Sequence, residues 1–136
     1  MRLCVGLASS LGTRANSTTT RAKVQEVIVS DVVIVLTTIT EEHADELART
    51  LVDERLAACV NVHGPMMSTY RWKGVIEREP ERQIVIKTTR ARLPELEDRL
   101  KAIHSYELPE LIIIRPESVS DLYGRWVEGE TQRTEN

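Results

Sequence analysis

Residues 66–77 read MMSTYRWKGVIE, and the fold turns on how they run. Ser68, Tyr70 and Trp72 alternate, so in an extended strand they share one face. Lys73-Gly74 follows, and a glycine there supplies the positive φ that a two-residue hairpin turn demands. No helical period fits between Cys59 and Thr89, so the spacing predicts two strands joined at Lys73-Gly74. Each arm then runs about 15 residues, or roughly 50 Å at ~3.3 Å per residue. A domain of about 110 residues has a radius of gyration of only ~13 Å. The hairpin therefore overshoots its own domain, and its free edges and aromatic face need a cover. Gly64-Pro65 is expected to kink the outgoing arm, and Pro80 to occupy an edge position on the returning one. Tyr70 and Trp72 are read as anchors for a neighbouring copy in a closed assembly. The alternative is a ribbon that folds back on its own sheet, with Trp72 in the core.

Outward from this ribbon, strands and helices alternate. Residues 31–38 (DVVIVLTT) form a β-branched apolar run expected of a strand covered on both faces. Ala44, Leu47, Ala48 and Leu51 then recur at helical spacing behind Thr40 as N-cap, with Glu41 and Glu42 in the first turn. ACVNVH (58–63) and RQIVIKTT (82–89) are strands. Leu93, Leu96, Leu100 and Ile103 line a second helix opened by Pro94. ELIIIR (110–115) is a fourth buried strand, and Val119, Leu122, Tyr123 and Trp126 are the apolar stripe of a short C-terminal helix capped by Ser118 or Ser120. The fold class is α+β: a ferredoxin-like βαββαβ with a long β2-β3 hairpin and a short C-terminal helix. The domain is expected over residues 30–129, between a flexible N-terminal extension (1–29) and a flexible C-terminal tail (130–136).

The net charge is −3, and the four bases and no acid of residues 1–25 leave −7 for residues 26–136. Such an acidic body excludes non-specific nucleic-acid binding, which rests on neutralising phosphates, and suits cations or basic partners. No apolar run approaches the ~20 residues of a membrane-spanning helix. The two cysteines, Cys4 and Cys59, form no disulfide framework or CxxC pair and read as free thiols of a reducing compartment, here the cytoplasm. The basic, Ser/Thr-rich residues 1–23 also share the composition of an organellar transit peptide.

ERLAACVNV (54–62), the pattern Ser68-x-Tyr70-x-Trp72-x-Gly74-x-Ile76, IVIKTT (84–89) and His104-x-Tyr106-Glu107-x-Pro109-Glu110 together resemble the CutA divalent-cation-tolerance proteins, from Val32 to Trp126. The resemblance implies a ferredoxin-like fold and a tight homotrimer built through the long hairpins, with Ser68, Tyr70, Trp72 and Trp126 at its interface. It also implies association with tolerance to copper and other divalent metals in bacteria and plastids, kinship in shape with trimeric PII-type signalling proteins, and in animals a link to acetylcholinesterase anchoring. No catalytic reaction and no obligatory cofactor come with it. The family usually has Pro after the histidine of the loop, and Ser105 stands there. Ile103 and Leu36 occupy places where some relatives carry His and Cys, so a copper site built on those groups does not transfer.

Among donor atoms, His43 lies on the polar side of the first helix. Cys59 and His63 share a strand face but stand four residues, roughly 13 Å, apart, too far for one metal, and Cys59 reads as a small core residue. His104, Glu107 and Glu110 form the best ligand set, imidazole with carboxylates suiting copper or zinc. Lys87, Thr89 and Arg90, with Tyr106, form a second candidate cleft for a small anion. Two functions follow: a non-enzymatic, metal-linked homotrimer, or a PII-like trimeric sensor that binds an anionic metabolite or nucleotide and regulates a partner protein.

Overall fold

The computed structural model describes residues 31–134. β1 (Val32–Ile39) lies inside a four-stranded antiparallel sheet of order β2-β3-β1-β4, made with β2 (Cys59–Trp72), β3 (Val75–Thr89) and β4 (Ile112–Ile114). α1 (Glu41–Asp53) and α2 (Leu93–Ile103) cover one face, and α3 (Asp121–Glu130) follows β4. A one-turn 3-10 helix, Arg90–Arg92, leads into α2. This is the ferredoxin-like βαββαβ order expected, with its terminal helix. The N-terminal extension lies outside the described residues. At the other end the chain stays on the domain beyond residue 129: α3 runs to Glu130, Thr131 is buried, and Arg133 pairs with Glu95.

The period of two along each strand divides the sheet into unlike faces. Val33, Val35, Ile39, Ile84 and Ile86 point to the helices and pack with Leu47, Leu51, Leu96 and Leu100 in the main core. Their alternates Ile34, Leu36 and Val85 are only half-buried. Thr40 takes the N-cap place of α1 with no side-chain hydrogen bond; its carbonyl accepts from the His43 amide at 3.1 Å instead.

Three sequence expectations change. β4 is three residues long and not buried: Ile112, Ile113 and Ile114 remain 46 %, 38 % and 42 % exposed, because β4 is an edge strand paired only with β1. α3 starts after Ser120 but docks through Gly124 and Val127, leaving Leu122, Tyr123 and Trp126 exposed. The bulky stripe has helical period, yet the small residues let the helix sit close to Val32 and Ala58. Cys59 is half-buried on the face away from α1 and α2, not in the core.

The hairpin is as long as its spacing predicts. Lys73 and Gly74 take φ of 50° and 83°, the two positive values of a primed turn. β1 stops pairing at Arg82, so Met66–Trp72 and Val75–Glu81 continue as a two-stranded ribbon with no third strand. Seven residues per arm extend it by about 23 Å. The ribbon leaves the sheet at a register shift between His63 and Met66, where Gly64 has φ of 124° and a Cβ would meet Glu81 O at 3.3 Å. Pro80 sits in the returning arm, where its outer side has no neighbouring strand to lose a hydrogen bond to.

Candidate functional site

The ribbon does not stand free of its own chain. Its Ser68-Tyr70-Trp72 face and the segment from Ser105 to Ile112 enclose a cleft of about 840 Å³. The segment is pinned by His104, 9 % exposed at the C-terminus of α2. The His104 Nδ1 accepts the Tyr106 amide hydrogen at 3.1 Å, which leaves Nε2 as the protonated nitrogen, donating to Thr38 O at 2.8 Å. The Tyr106 ring lies edge-on to the imidazole at 4.7 Å, and its hydroxyl donates to Glu81 Oε2 at 2.6 Å. One line of contacts thus ties the end of β1 to the loop and the loop to the ribbon. Ser105 lines this cleft, and these hydrogen bonds hold the loop where a proline ring is absent.

Burial, then the hydrogen bond to Glu81 and its negative charge, raise the Tyr106 pKa well above that of a free phenol. Because the folded value exceeds the unfolded one, the phenol's contribution to stability is complete below about pH 10 and is lost as pH climbs past it. In an alkaline absorbance titration Tyr106 should ionise last, only as the fold opens, and Tyr106→Phe should remove that final phase. Ionisation of all tyrosines together near pH 10 would contradict the Tyr106–Glu81 contact.

The proposed metal ligands do not converge in one chain. Glu110 accepts from Gln83 Nε2 at 3.0 Å, and Glu107 faces Lys73 Nζ at 3.9 Å. His104 has both ring nitrogens engaged and would ligate a metal only by giving one up. Among the described residues no three His, Cys, Asp or Glu side chains are placed to hold a metal ion. His43 and His63 are exposed.

Nor does Tyr106 meet the other residues of the anion cleft. Its partner Glu81 and Thr89 are eight residues apart on β3, about 26 Å. Lys87 donates to Asn61, Thr89 is buried, and Arg90 is exposed. Thr89 lines a separate groove of about 640 Å³ with Asp31, Arg92, Glu128 and Arg133. Arg92 Nη1 lies there, 3.0 Å from Glu95 Oε2 but at angles that make no hydrogen bond. Trp126 is on α3, 5.6 Å from Tyr123 between ring centroids. Sequence reasoning missed Glu79 and Glu81. The Ser68–Glu79 and Met66–Glu81 pairings follow from the turn by counting, whereas the hydrogen bond from Tyr106 to Glu81 depends on where the loop after α2 passes.

A ferredoxin-like sheet with an overhanging ribbon, closed by a histidine-pinned loop into an acidic and aromatic cleft, defines the class of protein. The model of the CutA1 divalent ion tolerance protein family matches residues 32–130, and the chain belongs to that family. It is 37 % identical over 99 residues to the divalent-cation tolerance protein CutA of Thermus thermophilus, covering 73 % of this chain and 96 % of that one. Protein CutA, chloroplastic, of Arabidopsis thaliana is 32 % identical over 126 residues, 93 % of this chain and 69 % of that protein. The solved structure of the PII-like protein CutA from Nostoc sp. PCC 7120 in apo form superposes with a TM-score of 0.70 at 37 % identity, covering 74 % of this chain and 97 % of that one. Among the described residues no helix is long and apolar enough to cross a membrane.

Proposed function

We propose that the chain works as a non-enzymatic homotrimer in the cellular response to divalent metal ions, copper among them. The observation that carries the assembly is the uncovered sheet face. Ile34, Leu36, Val85, Ile112 and Ile114 are neighbours there by register, and all remain half-exposed or exposed. Exposed Leu122, Tyr123 and Trp126 of α3 extend the apolar surface. Fully burying an isoleucine or leucine gains ~1.5–3 kcal/mol, so a half-exposed one stands to gain about half of that. The ribbon adds unpaired backbone edges that a second chain would satisfy. Ser68, Tyr70, Trp72 and Trp126 are proposed to meet neighbouring copies.

Light scattering on the full chain should return three times the 15.4 kDa mass; a single-chain mass with native circular dichroism would sink the assembly. Divalent cations are proposed to meet Glu107 and Glu110 on the loop, joined by His104 where a metal draws it from Thr38. Titration with Cu²⁺ should give saturable heat that Glu107→Gln with Glu110→Gln reduces severalfold. Heat unchanged by these substitutions removes the loop as the site.

The second reading is a PII-like sensor regulating a partner protein. It is favoured by the groove beside Thr89, where the buried Arg92 Nη1 lacks a hydrogen bond. A small anion there would raise the melting temperature in a metabolite and nucleotide screen, since a ligand of the native state stabilises it. A flat screen retires this reading. Cytoplasmic residence is proposed, with plastid import by residues 1–29 as the alternative suggested by the Arabidopsis relative. A fluorescent fusion of that segment decides between them.

A further inference from the structure

Arg92 carries a guanidinium that is nearly shut from water with most of its donors idle. It closes the one-turn helix before α2, and its side chain is 8 % exposed. Of the five N–H donors of a guanidinium, the one on Nε is used, given to Arg55 O at 3.2 Å. Nη1 is buried without a hydrogen bond, because Glu95 Oε2 stands 3.0 Å away at an unsuitable angle. Glu95 also holds Arg133, so two cations divide one carboxylate. Leaving a buried charged group short of hydrogen bonds is costly, and a planar guanidinium is satisfied best by an oxyanion that accepts two parallel N–H bonds. Thr89, on the same groove, adds a hydroxyl that makes no cap hydrogen bond.

The groove of about 640 Å³ that Arg92 lines carries opposite charge as well, from Asp31 and Glu128. Neither carboxylate is in an ion pair among the described residues. Arg90 meets Asp31 through backbone, its amide donating to the Asp31 carbonyl at 2.7 Å, and the Thr131 hydroxyl reaches Glu128 at its carbonyl. These signs decide the ligand's charge. A dianion such as phosphate would suit Arg92 but face two carboxylates, and a bare cation would suit those and face Arg92. A molecule with one charge of each sign satisfies both walls. The groove is also clear of the surface assigned to neighbouring copies: Glu128 is two residues from Trp126, about 200° round α3, on the opposite flank of the helix.

We propose that this groove binds a free α-amino acid as its zwitterion, with the carboxylate on Arg92 and Thr89 and the ammonium between Asp31 and Glu128. An α-amino acid brings both charges on one carbon, so a single small molecule meets both walls, and the remaining volume takes its side chain. The proposal rests on the sensor reading only in taking this groove as a ligand site, and it narrows the ligand from any small anion to one that also carries an ammonium. All the walls come from one chain, so neither the trimer nor a regulated partner is needed.

The test is saturation-transfer NMR on the full chain at constant ionic strength, with three probes that differ only in their charged ends. L-alanine should bind saturably. N-acetyl-L-alanine, which lacks the ammonium, and L-alaninamide, which lacks the carboxylate, should each bind at least tenfold more weakly. Arg92→Lys keeps the charge but loses the fork, and should weaken L-alanine at least tenfold. Since that change touches a buried site and may cost the fold, Asp31→Asn with Glu128→Gln, both exposed, carry the test independently. They should weaken L-alanine at least tenfold and leave N-acetyl-L-alanine as tight or tighter. Undiminished affinity for L-alanine in the folded variants, or L-alaninamide bound as tightly as L-alanine, would overturn the proposal. N-acetyl-L-alanine bound as tightly as L-alanine would overturn it too, yet leave the small-anion reading standing. No response to any of the three probes also sinks it, and the wider reading falls with it only if the metabolite and nucleotide screen is flat as well.

Discussion

Ile114→Asp should convert the protein from a three-chain to a one-chain species at micromolar concentration while leaving its far-ultraviolet circular dichroism unchanged. In a lone chain this position is 42 % exposed on a three-residue edge strand, and substitutions at such sites usually shift stability by no more than about 0.5 kcal/mol. In an assembly sealed across the open sheet face, the aspartate would sit against Ile34, its register partner, with a neighbour's apolar surface closing over it. Desolvating an unpaired carboxylate there costs several kcal/mol, and symmetry repeats the cost in every copy. The two cases differ by far more than experimental error. A variant that keeps the mass of the parent protein would mean that the isoleucines of β4 stay in water.

Ile86→Ala should lower stability by roughly 2–5 kcal/mol, the range for deleting most of a buried aliphatic side chain and leaving a cavity. Ile86 is fully buried, pairs in register with Val35 and Val60, and belongs to the cluster that includes Leu47, Leu51 and Leu96. At about 4–8 °C per kcal/mol for a domain of this size, the melting temperature should fall by at least ~8 °C. Val85→Ala, one residue away on the other face, is the control. In the isolated chain it removes a half-buried side chain, so its effect should be smaller there, and any excess from the proposed assembly should shrink as the protein is diluted to single chains. A loss below about 1 kcal/mol for Ile86→Ala would mean that the strand faces are reversed.

Much of this architecture is legible in the chain because it is written in local chemistry. Lys73-Gly74 declares its turn through the one backbone conformation that glycine enters freely, and once the turn is fixed, counting outward pairs Ser68 with Glu79. Leu47 and Leu51 on α1, and Leu96 and Leu100 on α2, bury as their periodicity predicts. The C-terminal helix misleads because hydrophobicity favours its bulky stripe, whereas docking space favours Gly124 and Val127. LIII (111–114) reads as buried because four consecutive apolar residues are expensive to leave in water, and in one chain they are left there. The candidate site was named in part through His104, Tyr106, Glu107 and Glu110, but their grouping as ligands depended on side-chain directions that spacing does not carry.

What the sequence determined by itself is the order of elements, the ribbon's length and turn, and the acidic character of the body, since each follows from a period, a backbone preference or a count of charges. The tertiary structure alone decided that His104 spends both nitrogens pinning a loop, that Glu81 is buried under Tyr106, and that Lys87, Thr89 and Arg90 lie far from that tyrosine. Those outcomes depend on a loop crossing from α2 to β4, beside the one-residue register shift at Gly64-Pro65, which brings together residues distant along the chain. Contacts of that kind are fixed by packing, and no local propensity encodes them.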